Sequence, residues 1–135
     1  MTVNLDSLVS TSQRLPANVL AVWLFGSIAR GTETPRSDVD VAVLLSVPPP
    51  ATLEGQPFDL QFAFETALGV PVDLVVLNTA PADLVHRVLR DGRLLLDRDR
   101  SVRIRFEVRA RNEYFDLLPI LREYRRPRAA RGASD

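Results

Sequence analysis

The sequence predicts a single α/β domain in which a small mixed sheet is backed by helices. Two runs rich in valine and leucine, residues 19–25 and 39–45, have the composition of buried strands. Segments with helical spacing stand around them, so that the order along the chain is helix, strand, strand, helix, strand, helix. With 135 residues, of which 46% are hydrophobic, the chain is long enough for one core and short for two domains.

A short helix is expected before the first strand, because apolar residues recur at helical spacing from position 5. Asn4 or Asp6 is placed to cap this helix, and Pro16 to close it. The first two strands then follow at residues 19–25 and 39–45, with a polar loop between them.

The second half of the domain alternates helix and strand. A helix over residues 58–68 is expected to end at Gly69, which has the position of a C-cap. A third strand covers residues 72–77 and a third amphipathic helix covers residues 82–90. Residues 94–96 form a short strand or a connector, so the sheet is expected to have three main strands.

The stretch from residue 101 to residue 124 supports two interpretations. Apolar and charged residues alternate strictly over residues 102–110, which favours a strand. Later apolar residues recur at spacings of three, and the residue types favour helix. We predict a long helix that is kinked or interrupted near Pro119 and packs across the sheet. The domain then covers residues 1–124, and residues 125–135 form a flexible, arginine-rich tail.

Composition excludes several classes of function. The 17 basic and 17 acidic residues cancel, so direct nucleic-acid binding is not expected. All cations are arginine and there is no cysteine, which excludes lysine and thiol nucleophiles. The single histidine, His86, fits a helix surface better than a catalytic role. No secretory signal is visible, and the longest apolar run is far below the roughly 18 residues that span a bilayer. A cytoplasmic protein without a membrane segment is expected.

Two acidic residues in the second strand carry the first chemical signal. Asp38 and Asp40 are two positions apart, so both carboxylates point to one face, about 7 Å apart along the strand. Aspartate is depleted in strands, and two like charges repel each other unless a cation lies between them. Divalent ions held by carboxylates and substrate phosphates meet this need, and Mg²⁺ is the usual choice.

A glycine and a serine directly after the first strand carry the second signal. Gly26 permits a phosphate to approach the backbone, and Ser27 adds a hydroxyl. Arg30 is placed to neutralise phosphate charge. If the third strand pairs beside the second, Asp73 reaches the same face, where it completes the metal site or takes a proton from an incoming hydroxyl.

These residues resemble the nucleotidyltransferase superfamily of DNA polymerase β-like folds. The resemblance rests on Gly26-Ser27, ten intervening residues, and Asp38-Val39-Asp40, and it is greatest for the minimal nucleotidyltransferase (MNT) group. Asp73 falls where the family's third carboxylate is expected. The stretch from Phe106 to Asp116 is similar to the tail of MNT antitoxins that are encoded beside HEPN-domain toxins.

The resemblance implies a reaction and a partner. The family transfers a nucleotidyl group from ATP or another nucleotide with Mg²⁺, so the implied cofactors are Mg²⁺ and ATP as donor. Gly26, Ser27 and Arg30 would bind the nucleotide, and Asp38, Asp40 and Asp73 would carry the metals and the catalysis. MNT antitoxins add AMP to a tyrosine of a HEPN RNase toxin, so a cognate HEPN toxin is the implied partner, and an oligomer can form through it.

Two alternative functions follow from the same residues. The chain can be a non-catalytic antitoxin that binds and occludes the toxin, with its carboxylates idle. It can also transfer a nucleotidyl group to a small molecule, which would require an acceptor pocket that 135 residues offer only across an oligomer interface.

Overall fold

The computed structural model describes residues 4–26, 31, 38–52 and 56–125 of the chain. The described part alternates helices and strands in the predicted order, with one strand more than predicted. Its elements are α1 (Leu5–Gln13), β1 (Val19–Phe25), β2 (Val39–Leu45), α2 (Phe58–Leu68), β3 (Val72–Val76), a 3₁₀ turn (Leu77–Thr79), α3 (Ala82–Asp91), β4 (Arg93–Asp97) and α4 (Arg100–Arg125).

The sheet has the order β3-β2-β1-β4 and mixes both strand directions. Strand β1 lies antiparallel to β2 and to β4, whereas β2 lies parallel to β3. The predicted mixed sheet is therefore confirmed, but the predicted number of three main strands is wrong. The segment around Leu95, interpreted from sequence as a strand or a connector, is the edge strand β4.

Arg98 explains why so short a strand is held at the edge of the sheet. Its backbone N–H donates to the carbonyl of Leu20 in β1 at 2.8 Å. Its guanidinium donates to four carbonyls in the connection between α1 and β1, those of Gln13, Leu15, Pro16 and Val19, at 2.6–3.1 Å. These bonds compensate for the small apolar surface that β4 contributes.

The sheet divides the apolar interior into two clusters, one on each face, so the single core expected from the sequence is wrong. On one face, the valines of β2 pack with Leu8 of α1 and Phe64 of α2, both fully buried. On the other face, Trp23 packs with Val85 and Val88 of α3. The alternation of side chains along each strand distributes residues to the two clusters.

Two helix ends confirm the predicted capping residues. Asn4 caps α1, because its Oδ1 accepts from the backbone N–H groups of Asp6 at 2.9 Å and Ser7 at 3.4 Å. Gly69 ends α2 in the left-handed conformation with φ of 70°. Pro16 lies three residues beyond the end of α1, where the sequence placed a stop.

The ambiguous C-terminal stretch is helical, and the alternative strand is wrong. Helix α4 includes Pro119 and continues to Arg125, so an interruption at Pro119 is wrong, whereas a kink there stays a prediction. It packs beside α3 instead of directly across the sheet, and Ala110 and Phe106 reach the cluster on that face. The alternating residues that do not share this helical face, Ile104 and Val108, are 39% and 47% exposed.

Charged contacts support the start of α4. The Asp99 carboxylate accepts from the backbone N–H of Val102 at 3.1 Å. Arg103 pairs with Asp97 of β4 and with Glu107, each at 2.9 Å. Burial lowers the pKa of Arg103, but hydrogen bonds and charges from these two carboxylates raise it by more, so the pKa lies above its ordinary value.

Two further expectations concern a membrane-spanning segment and the C-terminal tail. Within the described ranges, no helix combines the length and the apolar character that crossing a bilayer requires. The predicted tail begins at Arg125, which is the last residue of α4, and residues 126–135 lie outside the described part of the chain.

Candidate active site

Three strands bring the candidate residues to one end of the sheet. Strand β1 ends at Phe25 and β2 begins at Val39, and because the two strands are antiparallel, Phe25 lies opposite Asp40. Strand β3 begins beside the start of β2 in parallel register, with Asp40 opposite Asp73. Neighbouring strands lie about 4.8 Å apart, so these two carboxylates emerge from adjacent backbones on the same face.

A backbone hydrogen bond holds the starts of β2 and β3 together. The N–H of Val39 donates to the carbonyl of Pro71 at 3.3 Å, one residue before β3 begins. Val39 and Val72 are both almost completely buried on the opposite face. Burial of these valines therefore fixes the direction in which Asp40 and Asp73 point.

The two aspartates open onto a cleft of about 360 Å³ between the sheet and α3. Asp40 is half-buried in it and Asp73 is exposed. The pairing that the sequence analysis required of the third strand is therefore present. The cleft is lined by Phe25, Gly26, Asp40, Asp73, Val75, Leu84, Arg87 and Asp91.

Two geometric features favour glycine at position 26. Its φ is 78°, in the left-handed region that residues with a side chain rarely adopt. A Cβ built on Gly26 would overlap the Asp40 carboxylate, with the Asp40 Cγ only 3.0 Å away. The absence of a side chain thus allows the Asp40 carboxylate to lie directly against the Gly26 backbone at the end of β1.

The structure does not place the other three predicted site residues in the cleft. Asp38 is exposed and lies one residue before β2, and it is not among the residues that line the cleft. Ser27 and Arg30 lie outside the described residues.

The donor set in the cleft fits the chemistry of Mg²⁺. That ion is commonly held by one or two carboxylates together with water and substrate phosphates, not by a complete cage of protein ligands. Asp40 and Asp73 supply two carboxylates on one face, and Gly26 lines the same cleft. In the ranges that the structure describes, no group of three acidic, histidine or cysteine side chains is gathered to hold an ion by itself.

Sequence reasoning missed two charged residues of the cleft, Arg87 and Asp91 of α3. They share one helical face with Leu84, at spacings of three and seven, and this periodicity is the signal that was available. Arg90 donates to both oxygens of Asp91, at 3.0 and 2.9 Å. This hydrogen-bonded pair, with the Asp91 charge, raises the pKa of Arg90.

His86 lies on α3 with its side chain partly exposed, in agreement with the predicted position on a helix surface. Its ring stacks on Tyr114 of α4 with the centroids 3.6 Å apart and the planes 3° from parallel. Both side chains are partly exposed. The histidine therefore joins the two helices and is not one of the residues lining the cleft.

The chain is similar to known nucleotidyltransferases. Residues 7–101 match the family described as polymerase beta, nucleotidyltransferase. A protein adenylyltransferase, MntA of Shewanella oneidensis, is 36% identical over 75 residues, which are 55% of this chain and 51% of the relative. The chain thus spans about half the length of the curated relative that it matches.

Solved structures share the fold over nearly the whole domain. A toxin–antitoxin complex crystallised with AMP-PNP matches with a TM-score of 0.70 and 23% identity, covering 90% of this chain and 98% of that chain. A complex of the tri-AMPylated HEPN toxin of Shewanella oneidensis with its MNT antitoxin matches with a TM-score of 0.63 and 20% identity. That match covers 89% of this chain and 94% of the other. At these identities the likeness concerns the fold.

Proposed function

Because the chain belongs to the polymerase beta nucleotidyltransferase family, we propose that it transfers AMP from ATP to a tyrosine hydroxyl of a cognate HEPN toxin and thereby acts as an antitoxin. The relative with 36% identity is a protein adenylyltransferase. The fold is shared with antitoxins crystallised with AMP-PNP or with an AMPylated toxin. Because the proposed donor is ATP, we also propose that the protein acts in the cytoplasm.

One observation carries the proposal. Asp40 and Asp73 are register partners on parallel strands, and both line the cleft that the Gly26 backbone enters. Folding does not call for two carboxylates side by side, because their charges repel each other. A cation and an anionic nucleotide explain their placement.

The candidate residues fall into a metal-binding set and a phosphate-binding set. Asp38 and Asp40, with Asp73, would hold Mg²⁺, and Gly26, Ser27 and Arg30 would bind the phosphates. The bound metal would supply positive charge to the phosphates and to the attacking oxygen. Leu84 and Val75 supply apolar side chains to the lining of the cleft.

The reaction requires one bond to form and one to break. The tyrosine oxygen attacks the α-phosphorus of ATP, and a new O–P bond forms. The bond between the α-phosphorus and the oxygen bridging to the β-phosphorus breaks, and pyrophosphate leaves. We assign the proton of the hydroxyl to the Asp73 carboxylate, which is exposed and accessible to an acceptor from outside the cleft.

The direct test uses the protein with its candidate partner. The purified protein is incubated with labelled ATP, Mg²⁺ and the product of the neighbouring gene. We expect label on a tyrosine of the partner, identified by mass spectrometry. Asp38→Asn combined with Asp40→Asn should reduce labelling to background, whereas Asp59→Asn, an exposed change on α2, should leave it unchanged.

The same variants separate catalysis from occlusion. If the double variant still binds the partner but fails to protect cells from it, protection depends on transfer. Protection by the double variant would favour the non-catalytic alternative. Absence of labelled partner with folded wild-type protein, together with a labelled small molecule, would favour the third alternative.

A further inference from the structure

Arg87 extends into the cleft from the side opposite the two strand carboxylates. It lies on α3, one turn after Leu84, and lines the same cleft as Asp40 and Asp73. The residue is exposed, so its guanidinium is accessible to a molecule in the cleft. Its neighbours on the buried face of α3, Val85 and Val88, fix the helix against the sheet and hence the position of Arg87.

No described residue forms an ion pair with Arg87. The other charged side chain that α3 directs to this cleft, Asp91, has both carboxylate oxygens bonded to Arg90. The described ion pairs of the chain involve Arg90 and Arg103. An ion pair on a helix surface would add little stability, so its absence costs the fold little. Among the described residues, nothing therefore occupies the donors of Arg87, which line a cleft where anionic phosphates are proposed to bind.

We infer that Arg87 is a binding residue for the phosphates of the nucleotide, and that it selects a triphosphate over a monophosphate. The inference rests on the proposed function and deepens it. A guanidinium presents a planar set of N–H donors that matches phosphate oxygens, and such charge-assisted bonds are stronger than neutral ones. The carboxylates of the cleft repel a nucleotide, and Arg87 offsets this repulsion from the α3 side.

Arg87 also has a role when the bond to the leaving group breaks. Negative charge then increases on the pyrophosphate oxygens, while the guanidinium keeps its proton throughout. A cation facing these oxygens binds the transition state more tightly than the ground state. Loss of Arg87 should therefore lower both the affinity for ATP and the rate of transfer.

The test measures nucleotide binding directly. A nonhydrolysable ATP analogue and AMP are titrated separately, with Mg²⁺, into wild-type protein and into Arg87→Ala. We expect the affinity for the ATP analogue to fall about 10- to 100-fold, as for the loss of charge-assisted hydrogen bonds, and the affinity for AMP to change much less. Arg87→Lys, which keeps the charge and loses the planar geometry, should restore part of the affinity.

Arg100→Ala is the matched control, because Arg100 is an exposed arginine at the start of α4 and does not line the cleft. It should bind the analogue like the wild type. Circular dichroism checks that each variant is folded, and Arg87→Gln replaces the alanine variant if that one unfolds.

The outcomes separate this inference from the proposed function. Equal affinity of Arg87→Ala and wild type for the ATP analogue overturns the inference, even if transfer to the partner is observed. If Arg87→Ala loses affinity for AMP and for the ATP analogue by the same factor, Arg87 does not select a triphosphate over a monophosphate. Wild-type protein that binds the analogue but labels no partner contradicts the proposed function, while the comparison of variants still decides the role of Arg87.

Discussion

The two faces of strand β2 differ in what they contribute. On the face towards α1 and α2, Val39, Val41 and Val43 are at most 1% exposed and belong to one continuous cluster. On the face towards α3, Asp40 precedes the buried Ala42 and Leu44. Alternation of its side chains therefore lets this strand supply buried residues to the clusters on both faces and, at its start, one carboxylate to the candidate site on the α3 face.

The helices that cover the two faces account for this difference. Helix α3 has only ten residues, and Val85 and Val88 are its buried positions. It leaves the Asp40 end of the sheet open as the cleft, and it leaves a second groove of about 720 Å³ at the other end, beside Leu44 and Leu77. The fold tolerates a polar site on this face because part of the face is uncovered, which leaves Asp40 half-buried and Asp73 exposed to water.

The largest expected effect is on AMP transfer, and it comes from a substitution on the α3 face that should leave stability nearly unchanged. Asp73→Asn should lower AMP transfer about 10²- to 10⁴-fold, the range for loss of a general base. The free energy of unfolding should change by no more than about 0.5 kcal/mol, because Asp73 is exposed. Initial rates of labelling and urea denaturation measure the two quantities. Transfer at the wild-type rate would remove Asp73 from the catalytic set.

On the face of the sheet towards α2, a substitution should lower stability and leave nucleotide binding unchanged. Phe64 is fully buried among the valines of β2, so Phe64→Ala should lower the free energy of unfolding by about 3–5 kcal/mol. At a temperature where the variant is still folded, ATP affinity should be close to that of the wild type. If stability falls by less than about 1 kcal/mol, the cluster on this face does not carry the stability assigned to it.

Substitution of Gly26 should affect both the stability of the fold and the rate of AMP transfer. Gly26→Ala adds a side chain at positive φ, which costs about 1–3 kcal/mol, and it displaces the Asp40 carboxylate. Gly69→Ala has a similar φ of 70° and open space around its Cβ, so it should share the strain and keep transfer activity. Equal transfer rates in the two variants would show that contact with Asp40 does not matter.

The smallest expected effect is on stability, and it comes from the contact between α3 and α4. Tyr114→Ala removes the ring that stacks on His86 and should lower the free energy of unfolding by about 0.5–1.5 kcal/mol. Phe115→Ala, at a neighbouring position that is 55% exposed, should cost less. Thermal denaturation of both variants measures the difference. A larger loss in Phe115→Ala would mean that the stack does not join α3 to α4.

Local signals in the sequence determined most of the elements and the chemical character of the site. The apolar runs of β1 and β2, the Asn4 cap and the Gly69 turn depend on neighbouring residues, and the structure has them where they were expected. The two-residue period of a strand predicts that Asp38 and Asp40 share one face. In the structure, Asp38 lies one residue before β2 and does not line the cleft that Asp40 lines.

Only the tertiary structure decided the pairing of β4, the helical state of residues 101–110 and the composition of the cleft. An alternating stretch forms a helix because Phe106 and Ala110 gain burial beside α3, which outweighs the local pattern. Arg87 and Asp91 enter the cleft because the buried valines of α3 set the rotation of that helix. Such choices depend on contacts between residues far apart in the chain, and their energies are not encoded in any single segment.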